Sequence, residues 1–301
     1  MPKKICVFAN FNIDTQERLQ RMMDSFVSFR NANISEWKIN IRGSLKHQAA
    51  DFLGQELGDE LTVFFWESKK GWFFDSLEIA KVILSDYVFF WVEDHICQVE
   101  PTKLNDIVEE MQEFDVDQVW YSFLHHRVRA VFDTFPVVNV GKHITCAEIS
   151  NSSCRSSRKA LGYDFYVTTM VSIMTLRFFK QLLLSPKPYL KRHSMFLPFD
   201  FERKASDSIF GRIVTAIPKE EIFAAIDDDH KCNGYSLISR GKYPNRITWE
   251  ELKKKEMELG ISRMRLAYRK MPISFRLRIG IFTSLVRKII FTIQYHINKQ
   301  F

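Results

Sequence analysis

Residues 87–95 are Tyr87-Val88-Phe89-Phe90-Trp91-Val92-Glu93-Asp94-His95, a hydrophobic run that ends in two carboxylates and an imidazole. The run of β-branched and aromatic residues predicts a strand that is buried on both faces. Open α/β sheets bind their ligands at the carboxyl ends of such strands. Carboxylate and imidazole groups there can ligate a divalent metal that holds a diphosphate. The alternative is that these residues are solvated in a strand-to-helix loop.

Strand-like and helix-like segments alternate on either side of this run. Further strands are predicted at 5–12, 37–41, 61–66 and 118–123, and helices at 14–30, 47–57, 72–84 and 101–114. Asp14 is the expected N-cap of the first helix, and Val82 and Leu84 are expected to face the core near the end of the third. Residues 151–159 are polar and serine-rich, which predicts a mobile loop. The alternation indicates an α/β fold, with a mainly parallel, Rossmann-type sheet flanked by helices.

Composition limits the class of protein. With 46% hydrophobic and 14% aromatic residues, the chain is globular rather than disordered. The cysteines are odd in number, five, and form no C-x-x-C pair, which indicates reduced thiols and a cytoplasmic protein.

The net charge of +7 is concentrated near the C-terminus. Residues 259–301 contain nine Lys or Arg and no acidic residue, so the rest of the chain is close to neutral. A nearly neutral body argues against nucleic acid as a partner.

The last helix-like segment is amphipathic and basic. Its apolar stripe is Phe275, Ile279, Phe282, Val286, Ile289, Ile293 and Ile297, and Arg276, Arg287 and Lys288 lie opposite. We therefore predict that residues 246–301 form a helical appendage that lies on an anionic membrane surface, peripherally on the inner face of the cell membrane. A helix docked on the body or on a second subunit is the alternative.

The order of motifs over residues 5–245 resembles that of GT-A fold glycosyltransferases, closest to the large inverting family that builds bacterial surface polysaccharides. Asn10 lies near the end of the first strand, Lys69 and Lys70 precede Gly71 after the third strand, and residues 93–95 occupy the place of the D-x-D metal motif. The resemblance implies a nucleotide-sugar-binding half, 1–123, and an acceptor-side half, 124–245. It also implies that Asn10 and the two lysines contact the nucleotide and its phosphates.

Two positions depart from the family pattern. Arg42 stands at the end of the second strand, where the family has an Asp that contacts the nucleotide base. The D-x-D motif itself is replaced by Glu93-Asp94-His95, so the implied ligands of a Mn²⁺ or Mg²⁺ ion are Glu93, Asp94 and His95. The carboxylates could instead orient the donor sugar without a tightly bound metal.

Two later segments complete the implied site. Inverting transfer needs a carboxylate base, for which Glu202 and then Asp200 are the candidates. A surface ion pair with Arg203 or Lys204 is the alternative. His230, which follows three aspartates, is a candidate additional metal ligand, with a solvated turn as the alternative.

The resemblance implies a glycosyltransferase that moves a sugar from a nucleotide-sugar donor to a glycan or lipid-linked acceptor. Its implied setting is polysaccharide biosynthesis at the cytoplasmic membrane surface. The alternative is a binding or scaffold protein that keeps the fold without the activity, which the two departures would favour.

Overall fold

The structure is a computed structural model that describes residues 4–67, 72–122, 126–184, 203–205, 211–227 and 235–246. The chain divides into two compact units, Met1–Asn245 and Arg246–Phe301. The described helices and strands all lie in the first unit. The predicted membrane-association tail lies outside the described residues, apart from Arg246, and stays a prediction.

Helices and strands follow one another as the alternation of the sequence predicts. The helices are α1 (Gln16–Phe29), α2 (Lys46–Leu57), α3 (Trp72–Lys81), α4 (Lys103–Glu113), α5 (His126–Phe132), α6 (Asn151–Leu161) and α7 (Leu176–Leu184). The strands are β1 (Ile5–Asn12), β2 (Glu36–Arg42), β3 (Leu61–Phe64), β4 (Tyr87–Phe90), β5 (His95–Cys97), β6 (Gln118–Trp120), β7 (Val137–Val140), β8 (Ile144–Ser150), β9 (Tyr166–Thr168), β10 (Ser172–Thr175), β11 (Arg203–Lys204), β12 (Arg212–Pro218) and β13 (Phe223–Ala225).

Within the described residues, nine strands form one sheet in the order β3-β2-β1-β4-β10-β6-β12-β8-β7. Strands β3, β2, β1 and β4 are parallel to one another, whereas β10 is antiparallel to both β4 and β6. Strand β8 also runs against its neighbours β12 and β7. Two small sheets pair β11 with β9 and β13 with β5. The predicted α/β class with a mainly parallel sheet is confirmed.

The central strands are buried on both faces because each faces a hydrophobic layer on either side. In β4, Tyr87 and Phe89 join the cluster that includes α1, α2 and α4, while Val88 and Phe90 join the cluster that includes α3 and α7. The side-chain period of two places alternate residues in opposite layers. This double burial explains why the strand contains no polar position before its carboxyl end.

The polar segment at residues 151–159 is a helix, so the prediction of a loop there was wrong. The Ser150 hydroxyl accepts a hydrogen bond from the Ser153 backbone N–H at 3.2 Å, and the Ser153 hydroxyl interacts with the Ser150 N–H in return. This reciprocal cap stabilises the start of α6, and Cys154 and Ser157 are buried beneath it. The serines that indicated a loop are in part cap residues.

Two details of the predicted helices were also wrong. The N-cap of α1 is Thr15 rather than Asp14, since the Thr15 hydroxyl accepts from the Arg18 backbone N–H at 3.2 Å. Helix α3 ends at Lys81, and the expected core residues Val82 and Leu84 lie beyond it, 49% and 86% exposed. Because both residues lie past the end of the helix, they do not continue its buried face.

Candidate functional site

The Glu93-Asp94 turn lies where the order of the parallel strands reverses. Strands β1, β2 and β3 extend to one side of the sheet, and the chain then returns to form β4 on the other side of β1. The Trp91 N–H donates to the Phe8 carbonyl at 2.9 Å, which continues the contact between the two strands up to the turn. Ligands of open α/β sheets bind in the crevice at such a reversal. Glu93 and Asp94 are therefore placed at the expected binding edge.

Helix α1 fixes the backbone on both sides of this turn. The Ser25 hydroxyl donates to the His95 carbonyl at 2.5 Å and accepts from Trp91 Nε1 at 2.9 Å. One turn further along the helix, Ser28 Oγ accepts from the Cys97 backbone N–H at 2.9 Å. The turn is thus held by two serines of helix α1.

The residues that follow strand β13 also hold the turn. The Ile226 N–H donates to the Asp94 carbonyl at 2.7 Å, and the next residue, Asp227, pairs with Arg21 of α1 at 2.8 Å. Arg21 is buried and also bonds Glu17 at 2.9 Å. The late acidic segment therefore begins beside Asp94. Sequence reasoning missed Arg21, because a single Arg in a helix gives no signal of a partner far along the chain.

His95 supports Asp94 directly. Its Nδ1 lies 2.7 Å from Asp94 Oδ1, and its ring is buried with an edge toward Tyr121 at 6.4 Å between centroids. Tyr121 in turn donates its hydroxyl to the Phe90 carbonyl at 2.6 Å. In this arrangement His95 orients the Asp94 carboxylate, and its predicted role as a metal ligand stays a prediction.

The two carboxylates differ in acidity. Burial raises the pKa of Glu93 above its usual value, and the neighbouring Asp94 charge raises it further. Burial alone would raise the pKa of Asp94 as well, but the His95 contact and the Arg21 charge outweigh it and lower that pKa. Asp94 is therefore the stably ionised member of the pair, whereas the raised pKa of Glu93 makes its protonated form more accessible than is usual for a glutamate.

The donor chemistry fits a hard divalent cation. Neighbouring carboxylates with half-buried side chains suit Mg²⁺ or Mn²⁺, which use one or two protein carboxylates together with waters and substrate phosphates. Across the described ranges, no group of three or more His, Cys, Asp or Glu could hold a metal by itself.

Asn10 lies at the carboxyl end of β1 in a fixed amide network. Its Oδ1 accepts from Asn40 Nδ2 at 3.0 Å, and its own Nδ2 donates to Ser76 Oγ of α3 at 3.1 Å. Asn40 also exchanges hydrogen bonds with the Trp66 backbone at 2.8 and 3.0 Å. The network ties the ends of β1, β2 and β3 to α3. Asn40 was missed by the sequence reasoning, although its register opposite Asn10 follows from parallel pairing.

Arg42 ends β2 next to this network. Burial lowers the pKa of its guanidinium, and the charges of Asp75 and Glu67 act in the opposite direction. The Nε atom is buried and, among the described residues, has no hydrogen-bond partner. Lys69, Lys70, Asp200, Glu202 and His230 lie outside the described residues, so their predicted roles stay predictions.

Solved structures with similar folds include S. aureus TarS 1-349, with a TM-score of 0.48 and 13% identity over 74% of this chain and 60% of that one. The same protein in complex with UDP-GlcNAc has a TM-score of 0.45 and 12% identity, over 76% and 60% of the two chains. The mannosyltransferase PcManGT from Pyrobaculum calidifontis, in complex with GDP-Man and Mn²⁺, has a TM-score of 0.38 and 9% identity, over 46% and 42%.

The chain spans about 60% of the length of the TarS structure. No protein-family model and no curated protein sequence matches it. The α/β arrangement that the resemblance implies, a mainly parallel sheet flanked by helices, is confirmed by the strand order of the structure itself. Similarities with TM-scores of 0.48 or lower leave the family and the activity of this chain to be argued from the site.

Proposed function

We propose that the chain is a glycosyltransferase that moves a sugar from a nucleotide-sugar donor to a glycan or lipid-linked acceptor. The observation that supports this most is the braced carboxylate pair, Glu93 and Asp94, at the point where the parallel strand order reverses. A surface acidic pair needs no such bracing from α1 and β13. A turn that is ordered in this way can hold a charged ligand in one position, as catalysis by positioning requires.

Transfer of a sugar requires a base for the acceptor and groups that stabilise the leaving diphosphate. The acceptor oxygen forms a bond to the sugar's anomeric carbon while the bond from that carbon to the diphosphate breaks, and the acceptor proton passes to a carboxylate. Glu202, or else Asp200, is the proposed base, with inversion at the anomeric carbon. Glu93 and Asp94 would hold a divalent cation, which supplies charge stabilisation to the leaving diphosphate when bound. Lys69 and Lys70 are proposed to contact the same phosphates.

A thermal-shift panel tests donor binding. We expect at least one of the UDP-, GDP-, CMP- or dTDP-sugars, with Mn²⁺ present, to raise the melting temperature, because a ligand at one hundred times its Kd stabilises the native state by about 2.7 kcal/mol. The variant Glu93→Ala/Asp94→Ala should lose the shift. Replacing the exposed acidic pair Asp59 and Glu60 by alanine is the matched control and should keep it. A panel in which no nucleotide sugar stabilises the wild type would contradict the proposal.

We further propose that residues 246–301 bring this site to a membrane surface, in surface polysaccharide synthesis. The support is the basic, amphipathic pattern of the tail. Among the described residues, no helix is long and apolar enough to cross a bilayer.

Sedimentation with anionic liposomes tests this role. Reversing Arg276, Arg287 and Lys288 to Glu should release the protein, since each basic residue near an anionic leaflet contributes about 1 kcal/mol. The control reverses three exposed basic residues of the first unit by the same charge: Arg155, Lys159 and Lys219. Equal sedimentation of both variants and the wild type would exclude the tail as a membrane anchor.

A further inference from the structure

Strand β2 has a row of polar side chains at alternate positions. Glu36 accepts from the Ser85 hydroxyl at 2.7 Å, Lys38 donates to Thr62 Oγ1 at 3.1 Å, and the Asn40 amide bonds Asn10 and Trp66. Arg42 is the last member of the row, and its buried Nε has no hydrogen-bond partner within the described part of the chain. The first three polar side chains of the row therefore have hydrogen-bond partners, whereas the Nε atom of Arg42, at the carboxyl end of the strand, has none among the described residues.

The position of Arg42 corresponds to the nucleoside end of a bound nucleotide. In dinucleotide-binding α/β sheets, the ligand lies across the strand reversal, and an acidic residue about 20 positions after the first strand-to-helix turn hydrogen-bonds the ribose of the nucleoside. Here β1 separates β2 from β4, and two strand spacings put the ends of those strands about 10 Å apart. A diphosphate at Glu93 and Asp94 thus leaves room for the nucleoside to extend toward Arg42.

The surroundings of Arg42 favour a neutral ligand over a phosphate. Asp75 and Glu67 both act electrostatically on the guanidinium, and Asp75 is buried. Their charges repel an additional anion, but they do not oppose a neutral base. They also oppose the lowering of the guanidinium pKa that burial causes.

A guanidinium presents only donors, arranged in a planar fork that pairs with two adjacent acceptors. Guanine offers such a pair in O6 and N7, and cytosine offers N3 and O2. Uracil and thymine place an N–H between their two carbonyls, so a fork aligned with either carbonyl meets a donor. Resting on the proposed transferase function, we infer that Arg42 recognises an adjacent acceptor pair and selects cytidine or guanosine nucleotides over uridine and thymidine nucleotides.

Calorimetric affinities of CDP, GDP, UDP and dTDP, measured with Mn²⁺ on the full chain, test this inference. CDP or GDP should bind at least about tenfold more tightly than UDP and dTDP, the discrimination expected of one bidentate pair. Arg42→Met, which keeps the side-chain bulk, should reduce that preference to within about threefold. Arg42→Lys should not restore it, since a point charge cannot engage both acceptors. Arg30→Ala, which removes an exposed arginine paired with Glu56, is the control and should leave the order unchanged.

The outcomes separate this inference from the proposed function. Tightest binding of UDP or dTDP by the wild type overturns the role of Arg42 and leaves the transferase proposal standing; this result needs no variant to fold. An equal loss of affinity for all four nucleotides in Arg42→Met identifies a phosphate contact and also overturns it. Binding of none of the four overturns both.

Discussion

Alanine in place of both Glu93 and Asp94 is expected to lower the rate of sugar transfer by about a thousandfold or more. Preorganised groups that stabilise charge in the transition state contribute factors of 10²–10³ each, and this substitution removes two carboxylates from the diphosphate end of the site. The fold should survive. The backbone carbonyls of Asp94 and His95 accept the bonds from Ile226 and Ser25, and alanine keeps both carbonyls. We expect the free energy of unfolding to change by about 1 kcal/mol, the scale of the lost contact with His95.

Transfer assays and denaturant unfolding on the same preparations measure the two effects. The variant Asp59→Ala/Glu60→Ala, which removes an equal charge from an exposed acidic pair, should keep both activity and stability. Undiminished transfer by Glu93→Ala/Asp94→Ala would show that these carboxylates take no part in catalysis. Nucleotide-sugar binding by the wild type without any transfer would instead favour the binding or scaffold protein.

The fold was predictable because the hydrophobic patterns that determine its helices and strands lie within short stretches of sequence. The six apolar residues before Glu93 require burial on both faces, and only a central strand between two helical layers supplies it. Likewise, the strand predicted at 37–41 is β2, Glu36–Arg42, and the helix predicted at 47–57 is α2, Lys46–Leu57. Patterns of this kind involve residues only a few positions apart, so they can be recognised in a single sequence.

The residues that hold the carboxylate turn were not predictable, because they are far apart in the sequence. Arg21 and Asp227 are 206 positions apart, and their pairing depends on β13 folding back onto β5. A short strand such as β5, with three residues, has too few positions to show a period. The carboxylates are visible in the sequence, but the residues that hold their turn, apart from His95, come from distant elements.

Gly43→Ala is expected to destabilise the protein by about 3 kcal/mol or more. Gly43 has φ of +96°, a region that costs other residues of order 1–3 kcal/mol. A Cβ atom here would also lie 2.3 Å from the Ile13 carbonyl oxygen, a backbone atom that cannot rotate away. Ile13 is fixed in turn, since its N–H donates to the Arg42 carbonyl at 2.8 Å and its carbonyl accepts from Leu45 at 3.0 Å. Relief of the clash must therefore separate the loops that follow β1 and β2.

Two other glycines separate the two causes of the expected loss of stability, the positive φ and the clash of a Cβ atom with Ile13. Gly162 has φ of +72° but open space around its Cβ position, so Gly162→Ala should cost only the backbone strain, about 1 kcal/mol. Gly54 lies inside α2 with open space and no positive φ, so Gly54→Ala should stabilise the protein by about 0.5–1 kcal/mol. Urea unfolding of the three variants measures the series, and equal losses in Gly43→Ala and Gly162→Ala would exclude the clash with Ile13. Since the clash displaces the backbone next to Arg42, Gly43→Ala should also weaken nucleotide binding at temperatures where it is still folded, and Gly162→Ala should not.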